Sequence, residues 1–206
     1  MPPEEPETAI RAHVRSGDIR AAADLAIRTF GPGLLGFLRA IAHEDALAGD
    51  AFAIASEQMW QALPKFRWEA QLRTWYYQLG RNALHKLRAD PRRRRERNLS
   101  MELIGSVEVV QRSTTAVHHK SEAQRALAAL RETLEPADLE LLILRLDRNM
   151  SWRQVAETLC DDERESPEPS QHIDARATLL RKRFQRIKAQ LRQLATERGI
   201  LTSPSE

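Results

Sequence analysis

Apolar positions recur every three or four residues over most of the chain, a period that predicts amphipathic helices. The first starts near Thr8, uses Ile10 and Val14, and pauses at Ser16-Gly17-Asp18. The pattern resumes with Ile19, Ala22, Ala26 and Phe30. Gly31-Pro32-Gly33 is expected to break it there, Pro32 being equally suited to the first turn of the next helix. Leu34, Leu35, Leu38 and Ile41 form a further stripe, and another helix is expected from about Asp45 to Leu63, ended by Pro64. Between 70 and 89, Leu72, Tyr76, Leu79, Ala83 and Leu87 define a buried face, with Arg73, Trp75, Tyr77, Arg81, His85 and Arg88 off it.

Periodicity fails from Asp90 to about His118, where Pro91, the Arg92–Arg95 run and scattered Ser, Thr and Gly predict a basic linker, with a short helix near 101–110. It returns with Ala123, Leu127, Leu130 and Leu134, then Leu139, Leu142, Ile143 and Leu146 in a helix opened by Glu135-Pro136. Asp147-Arg148-Asn149 predicts a turn with Asn149 left-handed. Ser151 followed by Gln154 has the capping-box spacing before a helix that buries Trp152, Val155, Ala156 and Leu159. Asp161 to His172 is acidic, proline-bearing and expected to be a loop, with Ser170 or Asp174 capping the last helix. There Leu180, Phe184, Ile187, Leu191 and Leu194 repeat at alternating +4 and +3. A short helix, a loop and a longer helix with an apolar seam outline a helix-turn-helix.

Charge sharpens the picture. The formal net charge is only +3, yet residues 65–97 hold eleven Lys or Arg against three acids, and 176–198 hold eight against one. Residues 1–57 carry nine acids and five bases. Cations beside aromatic rings suit single-stranded nucleic acid, because the cations hold phosphates while ring faces accept unstacked bases. A helix with core aromatics and a solvated basic face would show the same composition. One cysteine, Cys160, leaves no intramolecular disulfide or Cys–Cys zinc pair, and its place at the end of an apolar run predicts a small buried hydrophobe. His118-His119 lacks ligand-spaced partners and Asp161-Asp162-Glu163 reads as a solvated loop, so neither a metal nor another cofactor is expected, nor an enzyme. No run of 18 apolar residues occurs and the start of the chain is acidic and proline-rich, which predicts a cytoplasmic protein without membrane insertion.

The run Trp60-Gln-Ala-Leu-Pro-Lys-Phe-Arg-Trp-Glu-Ala-Gln-Leu-Arg-Thr-Trp-Tyr-Tyr-Gln-Leu-Gly-Arg-Asn82 closely resembles the promoter-melting region of bacterial extracytoplasmic-function (ECF) sigma factors. Leu134 to Leu159, with Pro136, Leu144-Arg145, Met150-Ser151-Trp152 and Val155-Ala156, is similar to that family's second conserved domain, and Leu180 to Arg192 to its recognition helix. The resemblance covers most of 8–90 and 119–195, in order. It implies an all-α protein: a disordered stretch 1–7, a region 2-like bundle over 8–90, a linker over 91–118, a region 4-like helix-turn-helix over 119–196, and a tail over 197–206. It implies core RNA polymerase and promoter DNA as partners. Lys65, Phe66, Arg67, Trp68, Arg73, Trp75, Tyr77 and Arg81 would hold the minus-ten single strand. Arg176, Thr178, Arg181, Lys182, Arg183 and Arg186 would meet the minus-thirty-five duplex. Asp50, Glu57 and Trp60 would face polymerase. An anti-sigma factor is a further partner common in the family, although no residue here identifies one.

Three departures qualify the resemblance. Ala53-Ile54 replace the family's usual Gln-acid pair in the polymerase-binding helix, and about twelve residues separate Leu159 from Asp174 where three or four form the usual turn. Trp68 stands where small residues are common, either adding a stacking surface or packing back on the bundle. The alternatives to a promoter-specificity subunit are a degenerate sigma-like interaction protein, or a helix-turn-helix regulator without initiation activity.

Overall fold

Helices make up the regular structure of the described residues, which in this computed structural model are 6–91, 129, 133–160 and 169–198, and no strand occurs among them. The chain divides into two compact units, Met1–Val110 with Glu157–Glu165 and Gln111–Ala156 with Ser166–Glu206. The expected short helix near 101–110, Ala123, Leu127, Leu130, the linker beyond Pro91 and the acidic run 161–168 lie outside the described residues.

The first unit contains α1 (Pro6–Arg15), α2 (Ile19–Ala42), α3 (Asp45–Ala62), a 3-10 turn at Leu63–Lys65 and α4 (Leu72–Ala89). α1 begins earlier than expected: Pro6 and Glu7 are helical, since proline fits a first helical turn, where its missing N–H has no partner to lose. The pause after α1 is made by Gly17 at φ +80°, and Asp18 then caps α2, its Oδ1 accepting from the Ala21 N–H at 3.0 Å. α2 ends at His43 in the left-handed conformation (φ +60°), and the Arg88 guanidinium donates to the Ile41 carbonyl in its last turn.

The predicted break at Gly31-Pro32-Gly33 does not occur, because α2 runs through Pro32. Both glycines serve close packing instead. A Cβ on Gly31 would lie 3.2 Å from the Phe52 ring of α3, and one on Gly33 would lie 2.5 Å from the Tyr77 hydroxyl of α4. The helix interaction is retained at the cost of one backbone hydrogen bond at the proline. α2 is also long and apolar enough, by length and composition, to cross a membrane. In this bundle it carries Arg20, Asp24, Arg28 and Arg39 and buries Ala22, Ala26, Leu34, Phe37, Leu38 and Ile41 against its neighbours, as a core helix does.

The second unit contains α5 (Pro136–Leu142), a π-helical turn at Ile143–Asp147, most of α6 (Trp152–Thr158), and α7 (Pro169–Glu197). Leu139, Leu142 and Ile143 are buried as expected, but Leu146 is 54 % exposed while Leu144 is fully buried. The wider π turn delays the return of the buried face, so the 3.6-residue extrapolation to Leu146 fails. Asn149 has φ +50°, as a left-handed turn residue. The capping box forms in both directions: the Gln154 N–H donates to Ser151 Oγ (3.2 Å), and the Ser151 N–H to Gln154 Oε1 (2.6 Å). Val155, Ala156 and Leu159 are buried, whereas Trp152 is half-buried.

α7 starts at Pro169, before either proposed cap, so Ser170, His172 and Asp174 all lie inside the helix. Proline at the first position supplies the start signal that the Ser and Asp had suggested. Ile173, Ala177, Phe184, Ile187 and Ala195 are buried and Leu180, Leu191 and Leu194 half-buried, which extends the predicted seam by two turns at its N-terminal end. Cys160 is a buried free thiol in the first unit, and its carbonyl accepts from Gln78 Nε2 at 2.9 Å.

Candidate nucleic-acid interface

Lys65 ends the 3-10 turn, and the chain then runs irregularly to Gln71, placing Phe66, Arg67 and Trp68 ahead of α4. Phe66 stacks on Trp75 from the first turn of α4, with ring centroids 4.6 Å apart at 24°. Trp68 meets Phe66 edge-on at 5.1 Å and 67°. All three rings are half-exposed, so the cluster is neither core nor free surface. Trp68 has φ +62°, a conformation that costs a side chain roughly 1–2 kcal/mol relative to glycine. Its ring faces the Arg11 guanidinium of α1 at 5.3 Å, a cation–π contact. Trp68 thus contacts Arg11 of α1 and Phe66 of its own loop while part of its surface meets solvent.

α1 also braces the loop from below. The Glu7 carboxylate accepts from the Leu72 N–H at 2.6 Å, satisfying one of the amides that open α4, where Gln71 offers no side-chain cap. Glu7 and Arg11 are one turn apart on α1, and together they hold both ends of 68–72. Periodicity and motif spacing gave no sign of them. Their +4 spacing is visible, but their partners lie some 60 residues on and no local pattern connects them.

The other predicted single-strand residues divide. Lys65 and Arg67 are exposed, Arg67 lying 3.8 Å from Glu69. Arg73 is half-buried, with its guanidinium 5.6 Å from the Tyr77 ring. Tyr77 and Arg81, expected off the buried face, are inside: Tyr77 is 1 % exposed and packs on Phe37 (5.6 Å), and Arg81 is 9 % exposed. The correction has a geometric cause. α2 and α3 both cover α4, so its buried arc is wider than the single stripe drawn through Leu72, Tyr76 and Ala83. Tyr76 itself is fully buried, its hydroxyl 2.6 Å from Ser56 Oγ, and burial raises its pKa above the ordinary tyrosine value although the Ser56 hydrogen bond pulls the other way.

On α3, the buried side is Leu47, Ala48, Ala51, Ala55 and Met59. The predicted polymerase-facing residues lie opposite: Asp50 half-buried, Glu57 exposed, and Trp60 54 % exposed, the last a large apolar surface left to solvent. Ala53 shares that exposed side and Ile54 is half-buried.

In the second unit Thr178, Arg181, Lys182 and Arg186 are exposed along α7, and Arg176 and Arg183 are half-buried. Arg183 Nε donates to the Asp138 carboxylate of α5, so this predicted DNA reader also clamps the two helices together. Arg181 lies 5.7 Å from the Trp152 ring, which also receives Arg145 (5.1 Å) and the edge of Phe184 (5.3 Å, 72°). Arg145 further donates to the Met150 carbonyl at 2.6 Å. Arg145 and Arg181 thus both lie within cation–π reach of one indole. Arg176, Lys182, Arg183 and Arg186 line, with Leu179 and Leu180, a surface concavity of about 600 Å³. Among the described residues no group of three or more His, Cys, Asp or Glu is placed to hold a metal ion.

No protein-family model matches the chain, and no curated protein sequence matches it. Among solved structures, the sigma factor RpoE, co-crystallised with the anti-sigma factor NepR from Bartonella quintana, is similar in fold, with a TM-score of 0.51 over 81 % of this chain and 96 % of that one at 16 % identity. The regular structure of the described residues is all helical, and the fold is similar to that of this sigma factor.

Proposed function

We propose that this chain is a promoter-specificity subunit of RNA polymerase, a non-enzymatic regulator that binds the core enzyme, recognises minus-ten and minus-thirty-five elements and assists promoter melting. The observation that carries the reading is the half-exposed Phe66–Trp68–Trp75 cluster, with Arg11 over the Trp68 ring and Arg67 exposed in the same loop. Opening a duplex costs a few kcal/mol per extruded base, and stacking on an aromatic side chain returns about 1–3 kcal/mol. A preformed aromatic site with cations at its rim offsets that cost without first having to order itself. The side of α3 that carries half-buried Asp50 and exposed Glu57 and Trp60 is the proposed polymerase contact, and the exposed cations of α7 the proposed duplex contact. The similar sigma factor was crystallised with an anti-sigma factor, and an inhibitor of that kind is a proposed further partner here.

Reconstitution with core RNA polymerase tests the reading. Transcription of genomic fragments should give discrete start sites, with permanganate-reactive thymines just upstream of each. Phe66→Ala and Trp68→Ala should weaken binding to a single-stranded minus-ten oligonucleotide about 5- to 150-fold while leaving duplex binding nearly unchanged. A tight polymerase complex that never opens DNA would instead support a second reading, a sigma-like interaction protein without initiation activity. The pairing of Arg183 with Asp138 and the burial of Tyr77 and Arg81 favour that alternative, since each of these side chains would have to leave a protein contact to reach DNA.

A further inference from the structure

Leu179 is 65 % exposed, the most exposed large hydrophobic side chain among the described residues. It does not belong to the α7 seam, which passes through its neighbour Leu180. Arg176 precedes it by three residues, and Lys182, Arg183 and Arg186 follow at three, four and seven, so the leucine stands on a cationic face and helps line the concavity there. From Ala175 to Thr196 the helix carries seven Lys or Arg and no acid. An exposed leucine ringed by cations is covered favourably only by a partner that is anionic around an apolar centre.

We infer that Leu179 is a specificity-determining residue that packs on the 5-methyl group of a thymine in the major groove while the exposed Lys182 and Arg186 hold neighbouring phosphates. The inference rests on the proposed duplex contact of α7 and adds the base it reads. The acid-free run favours duplex DNA over an acidic peptide, because the duplex presents charge continuously along its length. Of the base edges in the major groove, thymine alone carries a methyl group, and the minor groove carries none. Cations that bind phosphate carry no sequence information themselves, so the leucine supplies discrimination that the surrounding charges lack.

The test uses the full chain reconstituted with core polymerase and duplexes selected from a random pool. Wild type should enrich sites with a fixed thymine upstream, and Leu179→Ala should lose the preference at that one position while keeping the rest of the site. Replacing that thymine by deoxyuridine removes only the methyl. Wild-type affinity should then fall about fourfold, the value of one buried methyl-sized group, and Leu179→Ala should bind both duplexes equally. Equal binding of the two duplexes by wild type, or a penalty that persists in Leu179→Ala, overturns the inference while the duplex contact stands. Failure to enrich any upstream sequence removes the duplex contact and the inference with it. Loss of an acidic protein partner, but of no DNA preference, in Leu179→Ala assigns the leucine to protein docking and also overturns it.

Discussion

Trp68 carries two opposing demands. Its backbone is left-handed, which favours glycine, while its ring completes the aromatic cluster and faces Arg11. Trp68→Gly should therefore change folding stability by no more than about 1 kcal/mol in denaturant titration, since relief of roughly 1–2 kcal/mol offsets the lost packing. The same variant should lose about 1–3 kcal/mol of single-strand binding, read by fluorescence titration with an oligonucleotide. Parallel losses in both measurements would make the tryptophan structural only. Tyr76 gives a pH signature. Its folded pKa is raised by burial, so the folded state resists deprotonation. Its contribution is fully present below the unfolded value of about 10 and is lost as pH rises through the folded value. Tyr76→Phe should cost about 1 kcal/mol at neutral pH through the lost Ser56 hydrogen bond, yet lose stability less steeply than wild type above pH 10.

At the scale of elements, Pro32 and Gly33 are adjacent in α2 and should respond oppositely to alanine. Pro32 is exposed, and Pro32→Ala restores a helical N–H, so stability should rise by about 1–3 kcal/mol. Gly33→Ala gains about 1 kcal/mol of helix propensity but places a methyl 2.5 Å from the hydroxyl of a ring that is itself buried. Overpacking should prevail, with a net loss of about 1–2 kcal/mol in thermal or chemical unfolding. The glycines looked like helix breakers because local propensity was the only criterion in view. Their use is to let α3 and α4 approach α2, which involves residues 21 and 44 positions further on. The opposite case is the capping box of α6, legible from Ser151 and Gln154 because both ends of the device lie within one turn. The cap of α4 was not legible: Glu7 reaches Leu72 from 65 residues away.

For the whole molecule, the contrast between an acidic beginning and two basic stretches predicts strong salt dependence of DNA binding. Lys182→Ala and Arg186→Ala, both at exposed positions on α7, should each flatten the slope of log affinity against log salt by about one, with little effect on folding. Arg183→Ala should differ. Its guanidinium is paired with Asp138, so the main effect should be a stability loss of about 1–2 kcal/mol in urea titration, with a smaller change in slope. Equal slopes for all three variants would place Arg183 among the phosphate contacts despite its pairing.

The helical character of the chain, the middle of the α7 seam, the turn at Asn149 and the gathering of cations near aromatics were set by residues close together in the chain, and the sequence by itself determined them, whereas the continuity of α2 through Pro32 was not among them. The period of a helix and the reach of a capping side chain both act within a few residues. Which side chains face solvent was decided only by packing: Tyr77 and Arg81 went inside because two helices cover α4, and the π turn sent Leu146 outward. The bracing of the 68–72 segment by Glu7 and Arg11, and the pairing of Arg183 with Asp138, likewise depend on contacts between segments that local periodicity cannot relate. Burial is a property of neighbours, and these neighbours are chosen by packing across the chain.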